Sequence, residues 1–377
     1  MQAEIVIVGA GITGATLAER CANALGKKVL VLEKRNHIGG NCYDYYDEAD
    51  ILVPKYGPHF FHTDHKKVWD YLSRFTDWHE YEHRVLSYVD GKYVPVPVNI
   101  DTVNILFDLN IRDENQMKAW LEANSVSIRH PANSEESALA RVGPKLYEKM
   151  FRHYTIKQWS LEPKDLDASV MDRIPVRHNR DDRYFGDKYQ AMPARGYTKL
   201  FENMLDHPNI AVRPATDYFK VKSSLGDYGT LFFTGPIDRF FEYRFGKLQY
   251  RSLEFEFETL SQEFYQPRAQ VNYPNDYGFT RITEPKHATG QGSESTTIIR
   301  EYSTWEGEPY YPVLSQKNKI LYGKYCQEAE KLRNVHLAGR LGNYRYLNMD
   351  AAFLNALQAF EEFAGMAFAA TARRPRN

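Results

Sequence analysis

The first forty residues contain two short apolar runs separated by a helical pattern. The first run, Ile5–Val8, precedes three glycines spaced Gly-x-Gly-x-x-Gly, and apolar positions then recur every three or four residues up to Leu25. The second run, Val29–Leu32, ends at Glu33. Short β-branched runs predict buried strands, whereas the intervening period predicts a helix. The order is therefore strand, glycine-rich turn, helix, strand and acid.

Further along the chain the same patterns predict both helices and strands. Residues 83–97 indicate a hairpin around Asp90-Gly91, and residues 101–162 are mainly helical, the last helix covering 137–159. Other predicted elements are a strand and turn over 50–63, a helix over His65–Phe75, strands around Ala211–Arg213, Leu231–Thr234, Leu253–Thr259 and Val335–Ala338, a strand-rich stretch over 270–303, and a helix from Met349 to Phe363. This mixture predicts an α/β fold.

The glycine-rich turn has the chemistry of a dinucleotide-binding site. Its first glycine allows the tight bend, the second lets a pyrophosphate approach the backbone, and the third lets helix and strand pack closely (Gly9, Gly11 and Gly14). Phosphates would lie at the positive helix N-terminus. Glu33, about 20 residues further on, is placed to accept hydrogen bonds from an adenosine ribose. The pair Gly39-Gly40 resembles the extended ADP-binding signature of flavoproteins and favours FAD over NAD.

Both ends of the chain are predicted to build one cofactor domain, into which two other domains are inserted. The predicted fold class is α/β, with an FAD-binding Rossmann-like domain, an inserted helical domain and an antiparallel or mixed β-sheet domain. The predicted boundaries are 1–80, 205–235 and 330–377 for the FAD-binding domain, 100–165 for the helical domain, and 83–97, 170–204 and 240–325 for the β-sheet or substrate domain.

Composition excludes several classes of partner. Among the 377 residues, 48 basic and 49 acidic side chains give a formal charge of −1, so no global field attracts nucleic acid or an anionic membrane. No apolar run approaches the roughly 20 residues of a spanning helix, and the N-terminus predicts no signal peptide. The three cysteines, Cys21, Cys42 and Cys326, have no metal-ligand spacing. We expect a cytoplasmic protein without a metal or a membrane partner.

Two turns are candidates for cofactor contacts. Gly339-Arg340 follows a predicted strand and precedes a helix, so it can present backbone amides and an arginine to a phosphate, although plain turn chemistry explains it equally well. The segment 57–63 contains His59, Phe60 and His62 around a turn. A single histidine is more often structural than catalytic, but this loop follows the dinucleotide unit closely enough to reach a cofactor ring.

Aromatic residues and separated arginines form a second candidate region. Phe151, Tyr154 and Trp159 are either buried helix residues or a stacking surface for a base or sugar ring. Arg173 and Arg177 lie in a charged, Pro-containing stretch predicted to be a mobile surface loop. Exposed arginines usually mean only solvation, but guanidinium groups also suit bidentate phosphate contacts. With Arg281, on a predicted strand near Asn272, they suggest an anionic, ring-containing substrate such as a nucleotide sugar.

Longer strings, in order from the first strand to about residue 363, carry a more specific resemblance. The sequence resembles the bacterial UDP-galactopyranose mutase family in EKRNHIGGN, YGPHFFHT, HYTIKQW, DRIPVR, DDRYF, YQAMPARGYTKLFENML, TRITEPKH, PYYPV and GRLGNYRYLNMD. The resemblance implies the same three domains and a homodimer. It also implies a redox-neutral interconversion of UDP-galactopyranose and UDP-galactofuranose, in which reduced FAD is the nucleophile at the anomeric carbon.

The resemblance also implies residue roles. Arg173 and Arg281 would clamp the diphosphate, and His59 would join them as a catalytic residue near the flavin ring; His62 is a weaker acid–base candidate. Implied substrate contacts are His83, Phe151, Tyr154, Thr155, Trp159, Tyr184, Asn272, Tyr311 and Tyr346. Implied FAD contacts are Gly9, Gly11, Thr13, Gly14, Glu33, Lys34, Gly40, Asn41, His59, Phe60, Phe219, Gly339, Arg340, Leu347, Asn348 and Met349.

Three departures from the family pattern leave the sugar open. Met150 replaces a frequent phenylalanine, His83 replaces an asparagine of some members, and Asn348 replaces a frequent aspartate. UDP-N-acetylgalactosamine or a deoxysugar nucleotide is an alternative substrate. Two other classes are a flavin oxidoreductase, such as an amine oxidase relative that shares only the FAD domain, and a catalytically silent flavin or nucleotide-sugar binder. The oxidoreductase would not need the paired arginines and the aromatic segment, and the silent binder requires loss of the arginine clamp, yet Arg173 and Arg281 are both present.

Overall fold

A parallel sheet forms the first core. The structure, a computed structural model, describes residues 2–172 and 174–372, with the backbone alone for 367–372. The strands of this parallel sheet follow the order Ile210–Arg213, Val29–Leu32, Ile5–Val8, Thr230–Phe233 and Val335–Leu337. The predicted strand–helix–strand unit is confirmed, because the helix Ile12–Leu25 joins the strands Ile5–Val8 and Val29–Leu32.

Both faces of the parallel sheet are covered. Ile5 and Ile7 face a core shared with the helices Ile12–Leu25 and Met349–Ala372, whereas Val6 and Leu30 face a second apolar cluster on the other side. Successive strand residues point to opposite faces, so a strand buried on both sides must be apolar throughout. This explains the uninterrupted apolar runs in the sequence, and the predicted α/β class is confirmed.

A second, mixed sheet lies beside helices from the middle of the chain. Its strands follow the order Tyr311–Pro312, Tyr250–Leu260, Thr296–Thr304, Arg281–Thr283, Gln270–Asn272, Val85–Val89 and Lys92–Val96. Only the pairing of Gln270–Asn272 with Val85–Val89 is parallel among the described strand pairs of this sheet. A short sheet has the order Phe61–Thr63, Tyr189–Pro193 and Trp78–Glu80, and Asp44–Tyr46 pairs with Leu52–Pro54.

The remaining elements are helices. The α-helices are Ile12–Leu25, Lys66–Leu72, Ile100–Phe107, Glu114–Asn124, Ser134–Leu146, His153–Trp159, Ser169–Asp172, Gly196–Leu205, Tyr218–Val221, Ile237–Phe240, Lys286–Thr289, Gln316–Ala329, Gly339–Gly342 and Met349–Ala372. Gly40–Cys42, Pro163–Asp165 and Lys222–Ser224 are 3₁₀ turns, and Tyr147–Arg152 is a π-helical turn. Within the described ranges, no helix is both long and apolar enough to cross a membrane.

The predicted hairpin is confirmed, and its turn shows why these residues are there. Val85–Val89 pairs antiparallel with Lys92–Val96, leaving Asp90 and Gly91 as the turn. Their φ angles are 51° and 77°, so both turn residues are left-handed. A two-residue turn of this kind matches the twist of the flanking strands and favours an Asp-Gly sequence.

The prediction of one continuous helix over 137–159 is wrong, because the structure interrupts it. Gly143 has a φ of 76° before Pro144, which interrupts the helix Ser134–Leu146. The π-helical turn Tyr147–Arg152 then precedes the helix His153–Trp159. A residue before proline is disfavoured in helical geometry, and π-turns change which side chains face a neighbour. The predicted helix His65–Phe75 is also shorter, since it covers only Lys66–Leu72.

One segment packs in a different place from the one predicted. Residues 170–204 were expected in the β-sheet domain, but helix Gly196–Leu205 buries Tyr197, Leu200, Phe201 and Met204 in the core beside the parallel sheet. Asp44 accepts hydrogen bonds from the backbone amides of Tyr197 and Thr198 and so holds the start of this helix. The other proposed domain boundaries stay a prediction.

Candidate active site

A cavity of about 590 Å³ opens at the carboxyl ends of the parallel strands, where Val8, Leu32 and Phe233 are the last strand residues in its wall. Ligands of open α/β sheets bind at this edge. Fourteen predicted cofactor contacts line it, namely Gly9, Gly11, Thr13, Glu33, Lys34, Gly40, Asn41, His59, Phe219, Gly339, Arg340, Leu347, Asn348 and Met349. Of the described residues, Gly14 and Phe60 were also predicted but lie outside this wall.

Close backbone contacts explain the glycines of the turn. A Cβ on Gly14 would lie 1.9 Å from the Gly9 carbonyl oxygen, so Gly14 allows the helix to pack on the strand rather than touching the cavity. A Cβ on Gly40 would lie 2.8 Å from the Cα of Gly11. The second glycine pair is therefore needed where two backbone segments meet at the cavity wall. This close packing leaves the backbone of the turn open to a phosphate.

The helix N-termini at the cavity have backbone amides available for an anion. Gly11, at the N-terminus of Ile12–Leu25, supplies no side-chain cap, and the first turn of that helix contains no acidic residue. Ala338 likewise supplies no side-chain cap to the short turn Gly339–Gly342. Uncapped amides at a helix N-terminus favour phosphate. The cavity residues therefore fit a dinucleotide pyrophosphate.

Charged residues at the rim are held by neighbouring groups. The two carboxylate oxygens of Glu33 accept hydrogen bonds from the amides of Ala10 (2.8 Å) and Arg35 (2.9 Å), which fixes the group at the cavity wall. Carboxylate oxygens have further lone pairs, so Glu33 can still accept ribose hydroxyls. Lys34 is ion-paired with Glu308 at 2.6 Å and closes the rim instead of pointing freely into the cavity.

A second, smaller cavity of about 40 Å³ adjoins the first and contains two arginines. Four residues line both cavities, namely Asn41, His59, Tyr310 and Arg340. The smaller cavity, but not the larger one, is also lined by Arg281, Glu301 and Tyr311. We call this smaller cavity the arginine pocket. It places predicted substrate contacts directly beside predicted cofactor contacts.

Both arginines of the pocket retain hydrogen-bonding capacity. Arg281 donates to Glu301 at 2.6 Å, and Arg340 donates to the Tyr310 carbonyl at 2.8 Å. Within the described chain, the buried Nε atoms of both side chains have no hydrogen-bond partner. Burial alone would lower the pKa of Arg281, but the Glu301 carboxylate outweighs it and raises that pKa, so Arg281 stays charged. Unused buried guanidinium donors are costly unless a ligand satisfies them.

His59 lies at the junction of the two cavities as a neutral ring. Its Nδ1 is 2.9 Å from the Gly57 carbonyl oxygen, which can only accept, so Nδ1 carries the proton. Burial lowers the pKa of His59 to about 4. Nε2 is then unprotonated at neutral pH and acts as an acceptor. His59 can take a hydrogen bond from a hydroxyl but supplies no positive charge.

The register of the mixed sheet gathers the polar residues on one face. Asn272 pairs with Arg281, and Arg281 pairs with Glu301. Tyr311 pairs with Arg251. Paired residues share a face and alternate residues along a strand return to it. The sheet therefore presents Arg251, Tyr311, Glu301, Arg281 and Asn272 together.

Arg251 is a residue that the sequence reasoning missed. Its side chain is fully buried, with Nε donating to the Gln158 carbonyl at 3.1 Å and the guanidinium 4.4 Å from the Trp305 ring centre. In the part of the chain that the structure describes, both terminal nitrogens lack partners. One arginine in a strand-like sequence carries no local signal, because its burial depends on distant segments.

The predicted aromatic contacts fall into two groups. Trp159, 6% exposed, has a buried indole nitrogen without a partner among the described atoms, and Tyr154 is an electrostatic neighbour of Arg281. Thr155 lies between them on the same helix. Phe151 instead belongs to the apolar core of the helical region, together with Met150. The helix His153–Trp159, which we call the aromatic helix, therefore comes close to Arg281 of the arginine pocket at Tyr154, near its start.

Tyr311 and Tyr346 stack on each other, and His83, Tyr184 and Phe60 form a second aromatic cluster. The rings of Tyr311 and Tyr346 stack at 5.4 Å, and the Arg340 guanidinium lies 5.7 Å and 5.4 Å from their centres. His83 stacks on Phe60 at 3.7 Å and contacts Tyr184 edge-on at 5.7 Å. Burial lowers the pKa of His83 to about 3, so its ring is neutral.

The remaining candidates have mixed outcomes. Arg173 lies outside the described residues. Arg177 is half-buried and donates to the Asp181 carbonyl at 3.0 Å, so it holds its own loop. His62 pairs with Asp187 at 3.0 Å and stacks on Phe185 at 3.6 Å. No group of three or more metal-ligating side chains occurs among the residues described.

The parallel sheet and its glycine-lined cavity define a Rossmann-like dinucleotide-binding domain, and a model of the NAD(P)-binding Rossmann-like domain matches residues 7–75. A family model described as UDP-galactopyranose mutase matches residues 149–346. The chain belongs to the UDP-galactopyranose mutase family and is a mutase, that is, an isomerase.

Individual relatives agree over nearly the whole chain. A probable UDP-galactopyranose mutase of Klebsiella pneumoniae is 40% identical and covers 95% of this chain and 94% of its own length. A dTDP-fucopyranose mutase of Escherichia coli is 38% identical, with 94% and 97% covered. A crystal structure of reduced UDP-galactopyranose mutase has a TM-score of 0.75 at 18% identity, with 97% and 94% covered, which shows the shared fold.

Proposed function

We propose that this protein is a flavin-dependent, redox-neutral isomerase that interconverts UDP-galactopyranose and UDP-galactofuranose. The observation that carries this proposal is the junction of the two cavities at His59 and Arg340. A dinucleotide held in the large cavity would reach a pocket whose arginines have unused donors. An oxidoreductase does not need an anion site beside its cofactor ring. An enzyme whose substrate has a diphosphate leaving group does need one.

The residues of the large cavity fit FAD. The glycine turn and the two uncapped helix starts would hold the pyrophosphate, and Glu33 would accept hydrogen bonds from the adenosine ribose. Asn348, Met349 and His59 line the same cavity. When reduced, the flavin supplies a nucleophile that can attack the anomeric carbon of a sugar.

The chain's own residues would bind and orient the nucleotide sugar. Arg281 and Arg340 would contact the diphosphate and stabilise the negative charge of the departing UDP, and we retain Arg173 as a further clamp. His59 would accept a hydrogen bond from a sugar hydroxyl through Nε2. Trp159 and Tyr154 would contact the uracil, because aromatic faces suit a base. Asn272, Tyr311 and Tyr346 would line the path between base and sugar.

A second candidate substrate is a deoxysugar nucleotide such as dTDP-fucopyranose. The observation in its favour is the 38% identity to a protein named for that substrate. Asn348 in the large cavity and His83 beside Phe60 are neutral side chains. They are the positions to test for sugar choice, because they depart from the family pattern.

The test is an assay of dithionite-reduced protein, with oxidised protein as the control. We expect reduced protein to convert UDP-galactofuranose to the pyranose without net electron consumption, and oxidised protein to convert little. A panel of UDP- and dTDP-sugars compared by kcat/KM would rank the substrates. Turnover of an amine or alcohol with electron transfer, and no sugar isomerisation, would overturn the proposal. The cytoplasmic location and the homodimer remain predictions; light scattering of the purified protein tests the latter.

A further inference from the structure

Lys157 joins the aromatic helix to the strands that carry Asn272 and Arg281. Its Nζ donates to the backbone carbonyl oxygens of Tyr273, Tyr277 (2.9 Å) and Phe279 (3.1 Å). These three residues belong to the loop 273–280 between strands Gln270–Asn272 and Arg281–Thr283. We call these strands and their loop the arginine hairpin.

These contacts use the full donor capacity of an ammonium group. A lysine has three N–H donors, and three carbonyl oxygens of one loop accept them. Charged hydrogen bonds of this kind are stronger than neutral ones. Burial lowers the pKa of Lys157 to about 8, and Asp276 in the same loop opposes that shift. The lysine is therefore held by loop carbonyls rather than by a direct ion pair.

A second set of contacts joins the same two elements. Nδ1 of His153 is 2.9 Å from Oδ1 of Asn275, and Asn275 donates to the Lys149 carbonyl at 2.9 Å. The loop thus contacts the aromatic helix and the π-helical turn before it. Lys157 is the charged contact at the end of the helix that carries Trp159.

The two joined elements carry different halves of the proposed substrate site. The aromatic helix carries Tyr154 and Trp159, which are proposed to contact the base. The arginine hairpin carries Arg281, which is proposed to contact the diphosphate, and directly opposite it Asn272, which is proposed to line the path between base and sugar. A nucleotide diphosphate must touch both elements at once, so its affinity depends on their separation.

We propose that Lys157 is a positioning residue, which fixes the distance between the base-binding helix and the diphosphate-binding hairpin. This inference rests on the proposed nucleotide-sugar function. It predicts that a ligand spanning both elements loses affinity when the contact is removed, because the two halves no longer bind as one preorganised site. Ligands that touch only one element should lose little.

The experiment compares UDP, uridine and inorganic pyrophosphate by competition against a fluorescent UDP derivative. In Lys157→Met we expect the Kd of UDP to rise about tenfold, since loss of preorganisation lowers the effective concentration of the second contact. The Kd values of uridine and pyrophosphate should change by less than about twofold. Lys145→Met, at an exposed position on the preceding helix, is the matched control and should leave all three unchanged.

A pH titration of folded, flavin-bound protein is the second arm of the experiment. Wild-type UDP affinity should fall as pH rises through about 8, where Lys157 loses its charge. Lys157→Arg should remove that fall, since arginine stays protonated. Equal loss of uridine and UDP in Lys157→Met, or the same pH profile in Lys157→Arg, would overturn the positioning role. Failure of wild-type protein to bind UDP would overturn the proposed function itself, and the inference with it.

Discussion

At the residue scale, Arg281 is the side chain on which the proposed diphosphate contact depends most directly. Arg281→Ala removes a buried guanidinium that Glu301 already holds in place. Loss of one preorganised charged donor costs about 10²–10³ in kcat. We expect that loss in the reduced-enzyme assay, with bound flavin retained because Arg281 lies in the smaller cavity.

The matched control for Arg281 lies on the other face of the same sheet. Arg300 pairs in register with Ile282 and contacts Glu256 and Glu258, away from the arginine pocket. Arg300→Ala should therefore keep wild-type turnover. Wild-type turnover in Arg281→Ala would contradict the proposed diphosphate contact of Arg281. Equal losses of turnover in both variants would point to a damaged sheet.

Because His83 is buried, we expect the free energy of unfolding to depend measurably on pH. Burial holds the pKa of its ring at about 3 in the folded protein, compared with about 6.5 in an unfolded chain. Between these values the unfolded state binds more protons, so the free energy of unfolding falls as pH drops below about 6.5. In His83→Asn this fall should be shallower, as measured by urea unfolding at several pH values.

An exposed histidine provides the control for that titration. His130 is exposed, and His130→Asn should leave the slope of stability against pH unchanged. A slope in His83→Asn equal to the wild-type slope would show that His83 is not the buried titrating group. The same variant, assayed with UDP- and dTDP-sugars, tests whether this departure from the family pattern affects sugar choice.

At the element scale, sequence patterns predict local structure well and distant packing poorly. The first strand–helix–strand unit follows from short-range periodicity, and the Asp90-Gly91 turn follows from its own backbone conformation. The burial of Arg251 depends on Trp305 and Gln158, which are far away in the sequence. The placement of helix Gly196–Leu205 likewise depends on Asp44. Such contacts leave no periodic signal at the residue concerned.

Two glycines with similar backbone conformations allow the effect of backbone strain to be distinguished from the effect of close packing. Gly40 has a φ of 58° and Gly26 a φ of 64°, but only at Gly40 would a Cβ approach another backbone, that of Gly11. Alanine at either position should destabilise the fold by about 1 kcal/mol through strain. Only Gly40→Ala should also lower the flavin content of purified protein, measured by absorbance, because it alone narrows the cofactor turn. Equal flavin content in the two variants would contradict this account of the second glycine pair.

At the scale of the whole molecule, an ion pair links the dinucleotide unit to a loop between two strands of the mixed sheet, Thr296–Thr304 and Tyr311–Pro312. Glu308 pairs with Lys34 at 2.6 Å and with Arg35 at 3.7 Å across the cavity rim, while its loop also lines that cavity. Exposed ion pairs contribute about 0–1 kcal/mol and weaken with salt. Glu308→Gln should therefore increase the rate of flavin release by no more than about fivefold, a limit set by that energy. The difference should disappear in molar salt, as followed by flavin fluorescence.

Glu306→Gln, at an exposed neighbouring position, should release flavin at the wild-type rate. An increase that persists in molar salt would mean that Glu308 acts by shaping the loop rather than by closing the rim electrostatically.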